Sequence, residues 1–193
     1  KTEPELTKTI PLRIRLAATY LPKDFPVKIL DIGCGEGSLG KLAKISHPRH
    51  RLTGVDVSPT ALKLARPFYD QILTVDITRS QGKWTQKYGV ITALEIIEHL
   101  DKPDKLLEFC FKHLNDSGKL ILSFPNTGWW KFGREAPTYT ELDHRQFFTL
   151  ASITELLKKY GFWVETIDGI FTLPWYLGRF ANPVQKFLGG FNP

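Results

Sequence analysis

A chain of 193 residues, 42% hydrophobic and 24% charged, is long enough for one domain with a sizeable core and has an ordinary globular composition. Its two cysteines, Cys34 and Cys110, follow neither zinc nor disulfide spacing, no apolar run reaches membrane-spanning length, and no signal-peptide pattern opens the chain, so a reducing cytoplasm is the simplest compartment. The net charge of +6 comes without a lysine–arginine run, which permits an anionic partner and gives no strong nucleic-acid signal.

Residues 4–21 have the apolar spacing of an amphipathic helix through Leu6, Ile10, Ile14, Leu16, Ala17 and Tyr20, interrupted at Pro11. Arg13 and Arg15 on it are read as surface charges, with a substrate mouth as the alternative. After a turn at 22–26, residues 28–32 are a short apolar run of the length of a buried strand. Gly33, Gly35, Gly37 and Gly40 follow, then Leu39, Leu42, Ala43 and Ile45 at helical spacing. Strand, glycine turn and helix together open a nucleotide-binding βαβ unit, whose backbone approaches a ligand closely and whose helix start points N–H groups at it.

The second strand is expected at 51–56, ending in Asp56, with Ser58-Pro59 as N-cap and first turn of the next helix. A third is expected at 72–77, with Asp76 at its end, and a fourth at 88–95. A long helix carries Leu106, Leu107, Phe109, Cys110, Phe111 and Leu114; a turn at 115–118 leads to a fifth strand at 119–124. Residues 127–146 are aromatic and basic without periodicity and read as a lid. Thr149 caps a helix through Tyr160, Gly161 ends it, a sixth strand follows at 162–171, and an aromatic tail occupies 172–193. No repeat or linker divides the chain, so 1–193 is read as a single domain with its core at 27–171. The chain lacks methionine throughout, which predicts that the numbering begins inside a longer gene product or after processing.

Asp31, Asp56 and Asp76 each fall at a strand end, where ligands of doubly wound sheets gather, and Asp56 stands about 20 residues beyond the glycine turn, where a carboxylate accepts from both ribose hydroxyls. Glu95, Glu98 and His99 are spaced i, i+3, i+4, so one helical turn puts them on one face. With His144 they are candidates to activate an acceptor, although Glu98 taken alone reads as a solvated helix residue.

The succession DIGCGEG, GVDVS, VDI, ALEIIEHL, KLILSFPN and DHRQFFT resembles the class I S-adenosylmethionine-dependent methyltransferases, in the broad group that contains the ubiquinone-biosynthesis O-methyltransferases. The resemblance covers residues 28–171. It implies a Rossmann-like, doubly wound, mostly parallel α/β sheet and S-adenosylmethionine as cofactor, released as S-adenosylhomocysteine. It implies that Gly33, Cys34, Gly35 and Gly37 pass the methionine part, and that Asp31 contacts the amino-acid end or orders the turn. Asp56 would hold the ribose, Val57 pack on adenine, Asp76 accept from the adenine amino group with Ile77 alongside, and Leu94 and Glu95 line the pocket near the methyl donor. His144 and His99 would be the catalytic pair. Related O-methyltransferases use a similar Glu-x-x-Glu-His stretch and a later histidine to hold a divalent metal; elsewhere in the superfamily the same letters carry no metal role, and both readings stay open. The family adds an antiparallel seventh strand. None is legible before Pro193, which predicts a truncated sequence or a six-stranded sheet with an open edge beside strand 6.

The expected reaction is methyl transfer to a small acceptor, most simply at oxygen; an RNA acceptor and a non-catalytic scaffold are the alternatives. The rings of Trp129, Trp130, Phe132 and Tyr139 in the lid and of Phe171, Trp175, Tyr176, Phe180 and Phe187 in the tail suit a lipophilic or aromatic acceptor, and peripheral membrane contact. Lys131, Arg134 and Arg179 are placed to hold its polar head.

Overall fold

A computed structural model describes residues 9–79, 84–127 and 144–170, and the backbone of 184–187. Most of the expected lid and nearly all of the aromatic tail lie outside the described residues.

Five strands form one parallel sheet in the order β3-β2-β1-β4-β5: β1 (Lys28–Ile32), β2 (Arg51–Asp56), β3 (Gln71–Thr74), β4 (Tyr88–Leu94) and β5 (Leu114–Ser123). The two central strands read as near-continuous apolar runs because both of their faces are covered; Ile29, Leu30, Val90, Ile91 and Ala93 are buried. The covering helices are α1 (Leu12–Ala18), α2 (Ser38–Ser46), α3 (Pro59–Ala65), α4 (Pro103–His113) and α5 (Leu150–Lys159). On one side of the sheet Leu106, Leu107 and Cys110 of α4 and Ile153 of α5 share a core with Leu30, Val55 and Ile91. A second core gathers Leu21, Ala43, Leu62, Ala65 and Tyr69 around Ile29, Leu52 and Val90. Among the described residues no helix is long and apolar enough to cross a membrane.

Several local expectations hold. Ser58 caps α3, accepting from the Ala61 N–H at 3.2 Å with Pro59 in the first turn. Thr149 and Ser152 form a reciprocal capping box on α5, and Gly161 follows the helix with φ +84°. Others are corrected. β3 stops at Thr74, because Asp76 turns its carboxylate back onto Thr78 and so ends the extended run. The expected turn at 115–118 is an irregularity inside a longer β5: Tyr88 pairs with Leu114, Val90 with Lys119, and the intervening residues bulge out. At the N-terminal end the interruption expected at Pro11 is present: Pro11 is the N-cap of Leu12–Ala18, while residues 4–8 of the expected helix lie outside the described residues.

The sixth strand, β6 (Ile167–Ile170), does not join the main sheet. It pairs antiparallel with β7 (Val184–Phe187), so a seventh strand is present after all and the six-stranded open edge is withdrawn. The aromatic, proline-broken composition of the tail concealed this strand, which is only four residues long.

The chain runs outward from β1 through β2 to β3, then returns to lay β4 on the other side of β1. The β1 and β4 ends therefore lie at a topological switch point, the position at which doubly wound sheets form a ligand crevice beyond the carboxyl ends of their strands.

Candidate active site

One wall of the crevice is the glycine turn after β1. Gly33, Gly35 and Gly37 all have positive φ, at +69°, +50° and +89°, a region that side chains with a Cβ resist. At Gly33 a Cβ would also collide with the side chain of Ile96, which reaches across from the β4 side; at Gly35 it would point into open space. Gly35 is thus the point of closest possible approach for a ligand.

Asp56 steadies this turn. Its Oδ2 accepts from the Gly35 N–H at 2.9 Å and its Oδ1 from the Ser58 N–H at 2.9 Å. Each oxygen keeps further acceptor capacity toward the crevice. Val57 beside it is 66% exposed, an apolar face offered to solvent. Asp76 accepts from the N–H and hydroxyl of Thr78 at 2.9 and 2.7 Å and pairs with Arg79. Burial raises its carboxyl, but the Thr78 bonds and Arg79 outweigh that and leave it below the usual range. Ile77 is buried in the main core. Cys34 is buried too, and burial with the nearby Asp31 and Asp56 carboxylates pushes its thiol far up, so it remains a protonated packing group.

Asp31 is 3% exposed and does not face the crevice. Tyr69 donates to its Oδ2 at 2.5 Å and Thr92 to its Oδ1 at 2.7 Å. The Tyr69 hydroxyl in turn accepts from the Gly40 N–H at 3.1 Å, and a Cβ on Gly40 would strike the Tyr69 ring at 2.5 Å. Burial lifts the Asp31 carboxyl to about 6, against the pull of its two hydroxyl partners. Of the two roles open to Asp31 in the sequence, ordering the turn is the one this arrangement suits.

The other wall follows β4. Leu94 ends the strand, half-buried. Glu95 adopts φ +56° and its Oε1 accepts from the Ser123 hydroxyl at 2.7 Å. A 3-10 turn, Ile97–His99, comes next. The expected single helical face of Glu95, Glu98 and His99 does not form, because the left-handed residue at 95 turns its side chain toward β5 instead.

Glu98 is not solvated. It is 2% exposed, and among the described residues neither carboxylate oxygen has a hydrogen-bond partner outside Glu98 itself; burial lifts the group to about 7 against the pull of its own backbone N–H and the nearby His99 and Arg13 charges. One ligand atom each from Glu98, His99 and His144 lies within 4.8 Å of the others, and the two imidazole rings stand edge to face with centroids 4.8 Å apart. His144 is held there through the backbone. The N–H groups of Arg145 and Gln146 donate to the Glu98 carbonyl at 2.8 and 3.0 Å, and Arg145 forms an ion pair with Asp101. The same segment is stitched to the end of β5: the Thr127 N–H and hydroxyl donate to the Phe148 carbonyl at 2.9 and 3.0 Å.

The fold therefore brings His99, His144 and Glu98 together on one side of the crevice and Gly33, Gly35, Gly37, Asp56 and Val57 on the other. Tyr69, Thr92 and Ser123 were not singled out in the sequence. Their partners lie 38, 61 and 28 residues away, and no local spacing signals such pairs.

A family model described as a methyltransferase domain matches residues 6–167. The ubiquinone biosynthesis O-methyltransferase of Glaesserella parasuis is 30% identical over 126 residues, which cover 60% of this chain and 52% of that one. The chain spans about half the length of the first curated relatives it matches. A SAM-dependent methyltransferase from Archaeoglobus fulgidus superposes with a TM-score of 0.68 at 20% identity, over 92% of this chain and 81% of that one. The plantazolicin methyltransferase BpumL in complex with SAH gives 0.63 at 23% identity, over 89% and 70%. At these identities the likeness to the solved structures is one of fold.

Proposed function

Because the chain belongs to the methyltransferase-domain family and has the class I S-adenosylmethionine-dependent fold, we propose that it transfers a methyl group from S-adenosylmethionine to a hydroxyl of a small acceptor, using the glycine-turn wall for the cofactor and the Glu98–His99–His144 wall for the acceptor. The observation that carries this reading is the buried, unpartnered Glu98 carboxylate beside two histidines, at the open end of a sheet whose neighbouring turn is built for close backbone approach.

The cofactor fits the residues present. Asp56 offers carboxylate acceptors to the ribose hydroxyls beyond the bonds it already makes. Val57 offers an apolar surface for adenine, and Asp76 is pre-oriented by Thr78 as an acceptor for the adenine amino group. Gly35 leaves room for the methionine chain. The bound cofactor supplies a methyl on a sulfonium, open to in-line attack; the protein orients the acceptor and keeps water out.

An acceptor hydroxyl must lose its proton as it attacks. Glu98, His99 and His144 suit a divalent cation, which would lower the proton affinity of that hydroxyl. The Glu98 carboxylate itself supports the fit: buried and without a partner from another described residue, it is costly unless something completes it. Glu95 falls outside this cluster of ligand atoms, its Oε1 accepting from the Ser123 hydroxyl. Without a cation, His144 or His99 would accept the proton directly. An oxygen acceptor of lipophilic character remains part of the proposal through the sequence of the lid and tail, and residues 27–171 are its core unit.

Calorimetry tests both walls. S-adenosylhomocysteine should bind the wild type. Zinc or manganese should bind it too, and fail to bind Glu98→Gln. Activity unchanged by a chelator would leave the histidines as the base and remove the cation; no binding of S-adenosylhomocysteine would overturn the reading.

A further inference from the structure

Glu95 is the one non-glycine residue with positive φ among the described residues. A glutamate does not settle in that conformation unaided, so the surroundings must impose it. They consist chiefly of Ser123, the last residue of β5 and the register partner of Leu94. The Glu95 N–H donates to both the Ser123 carbonyl oxygen and its Oγ, each at 3.1 Å. The Ser123 hydroxyl donates back to Glu95 Oε1 at 2.7 Å. One serine thereby grips the backbone and the side chain of the same residue.

What the grip controls is the direction of the chain after β4. An extended residue at 95 would prolong the strand, and a right-handed one would start the 3-10 turn early. The left-handed residue instead sends Ile96 over Gly33 and lets the turn at Ile97–His99 present Glu98 and His99 to His144. We infer that the Glu95–Ser123 clamp is a positioning device for the methyl-transfer site: the two side chains hold the elbow that seats Ile96 on the glycine turn and aims Glu98 and His99, and neither serves as a ligand or a base. The inference rests on the functional reading above, and it takes Glu95 out of the cofactor-pocket lining expected from the sequence.

Four single variants and one double variant, with S-adenosylhomocysteine as the probe, decide it. Glu95→Ala removes the carboxylate and keeps the resisting Cβ, so affinity should fall about tenfold by misplacement of the turn. Glu95→Gly adopts positive φ freely, and Glu95→Gln keeps an oxygen for Ser123; both should stay within about twofold of the wild type. Ser123→Ala should cost as much as Glu95→Ala in the wild-type background and almost nothing in the Glu95→Gly background, in affinity and in melting temperature alike. A loss in Glu95→Gln equal to that in Glu95→Ala would mean that the charge meets the ligand, and would overturn the inference. So would an equal effect of Ser123→Ala in both backgrounds. Melting temperatures that follow this pattern while affinities do not would reduce the clamp to a structural one and remove its positioning role. If the wild type itself binds no S-adenosylhomocysteine, the functional reading fails and the positioning role with it, while the melting cycle still shows whether the clamp exists.

Discussion

Asp31 stands near the end of β1 and Glu98 in the 3-10 turn after the adjacent β4, both buried and both pushed up by burial, to about 6 and about 7. Asp31 has a hydroxyl on each oxygen; Glu98 has no partner from any other described residue on either. The cofactor wall is thus finished by the protein alone. The acceptor wall is not, and a buried acceptor without a donor costs about 1–3 kcal/mol until something arrives to complete it. The contrast separates a satisfied carboxylate from an unsatisfied one more clearly than their neighbouring positions in the fold do.

The largest expected effect tests the unfinished wall. His144→Ala should cut turnover by about 10²–10⁴-fold, the usual worth of an acid–base group, while S-adenosylhomocysteine affinity by calorimetry stays near that of the wild type. A comparable loss in both would merge the two walls and break the comparison.

Next comes Asp31→Asn, read by melting across pH. The folded pKa of Asp31, about 6, lies above the unfolded value of 3.8. Its favourable contribution is therefore complete below pH 3.8 and is lost as pH rises through 6. The amide does not titrate, so the variant should gain on the wild type across that window, by about 2–3 kcal/mol at pH 7. A difference that stays flat with pH would mean that Asp31 is not held up by burial.

Asp56→Ala should weaken S-adenosylhomocysteine binding by about 1–3 kcal/mol, since the ribose hydroxyls lose a charged acceptor and the Gly35 and Ser58 N–H groups lose theirs. Unchanged affinity would sink the ribose assignment. The smallest effect is expected for Thr92→Val, which leaves one Asp31 oxygen unpaired at a cost of about 1 kcal/mol in stability. It should reproduce, on the finished wall, a fraction of what nature leaves open at Glu98.

The geometry of the glycine-turn wall was largely legible because it depends on local order. A strand, glycines at 33, 35 and 37, and an aspartate one βα unit later form a contiguous pattern. The acceptor wall was only half legible. The letters at 95, 98 and 99 suggest a helical face, but a single positive φ at Glu95 redirects them, and no propensity announces it. Nor does sequence show that Glu98 is buried: the residue sits two places after Ile96, which packs on Gly33, and what closes over its backbone is the segment at 145–146. Asp76 was placed at a strand end and lies beyond it because its carboxylate favours its own loop. The separation of β6 from the main sheet was invisible for a similar reason, since its partner lies in the aromatic tail.

The bonds from Thr127 to Phe148 have an engineering consequence. They tie together two points that flank residues 128–143, and the next bonds, from Arg145 and Gln146 to Glu98, fix His144 independently of what runs between. The entropy of closing that stretch depends only weakly on its length, about 0.6 kcal/mol for each doubling. A foreign sequence of different length spliced between the two anchor points should therefore leave the Glu98–His99–His144 geometry in place. On the proposed function, exchange of that one segment should change acceptor preference while the Glu98–His99–His144 cluster keeps its geometry, so that the chain serves as a cassette holder.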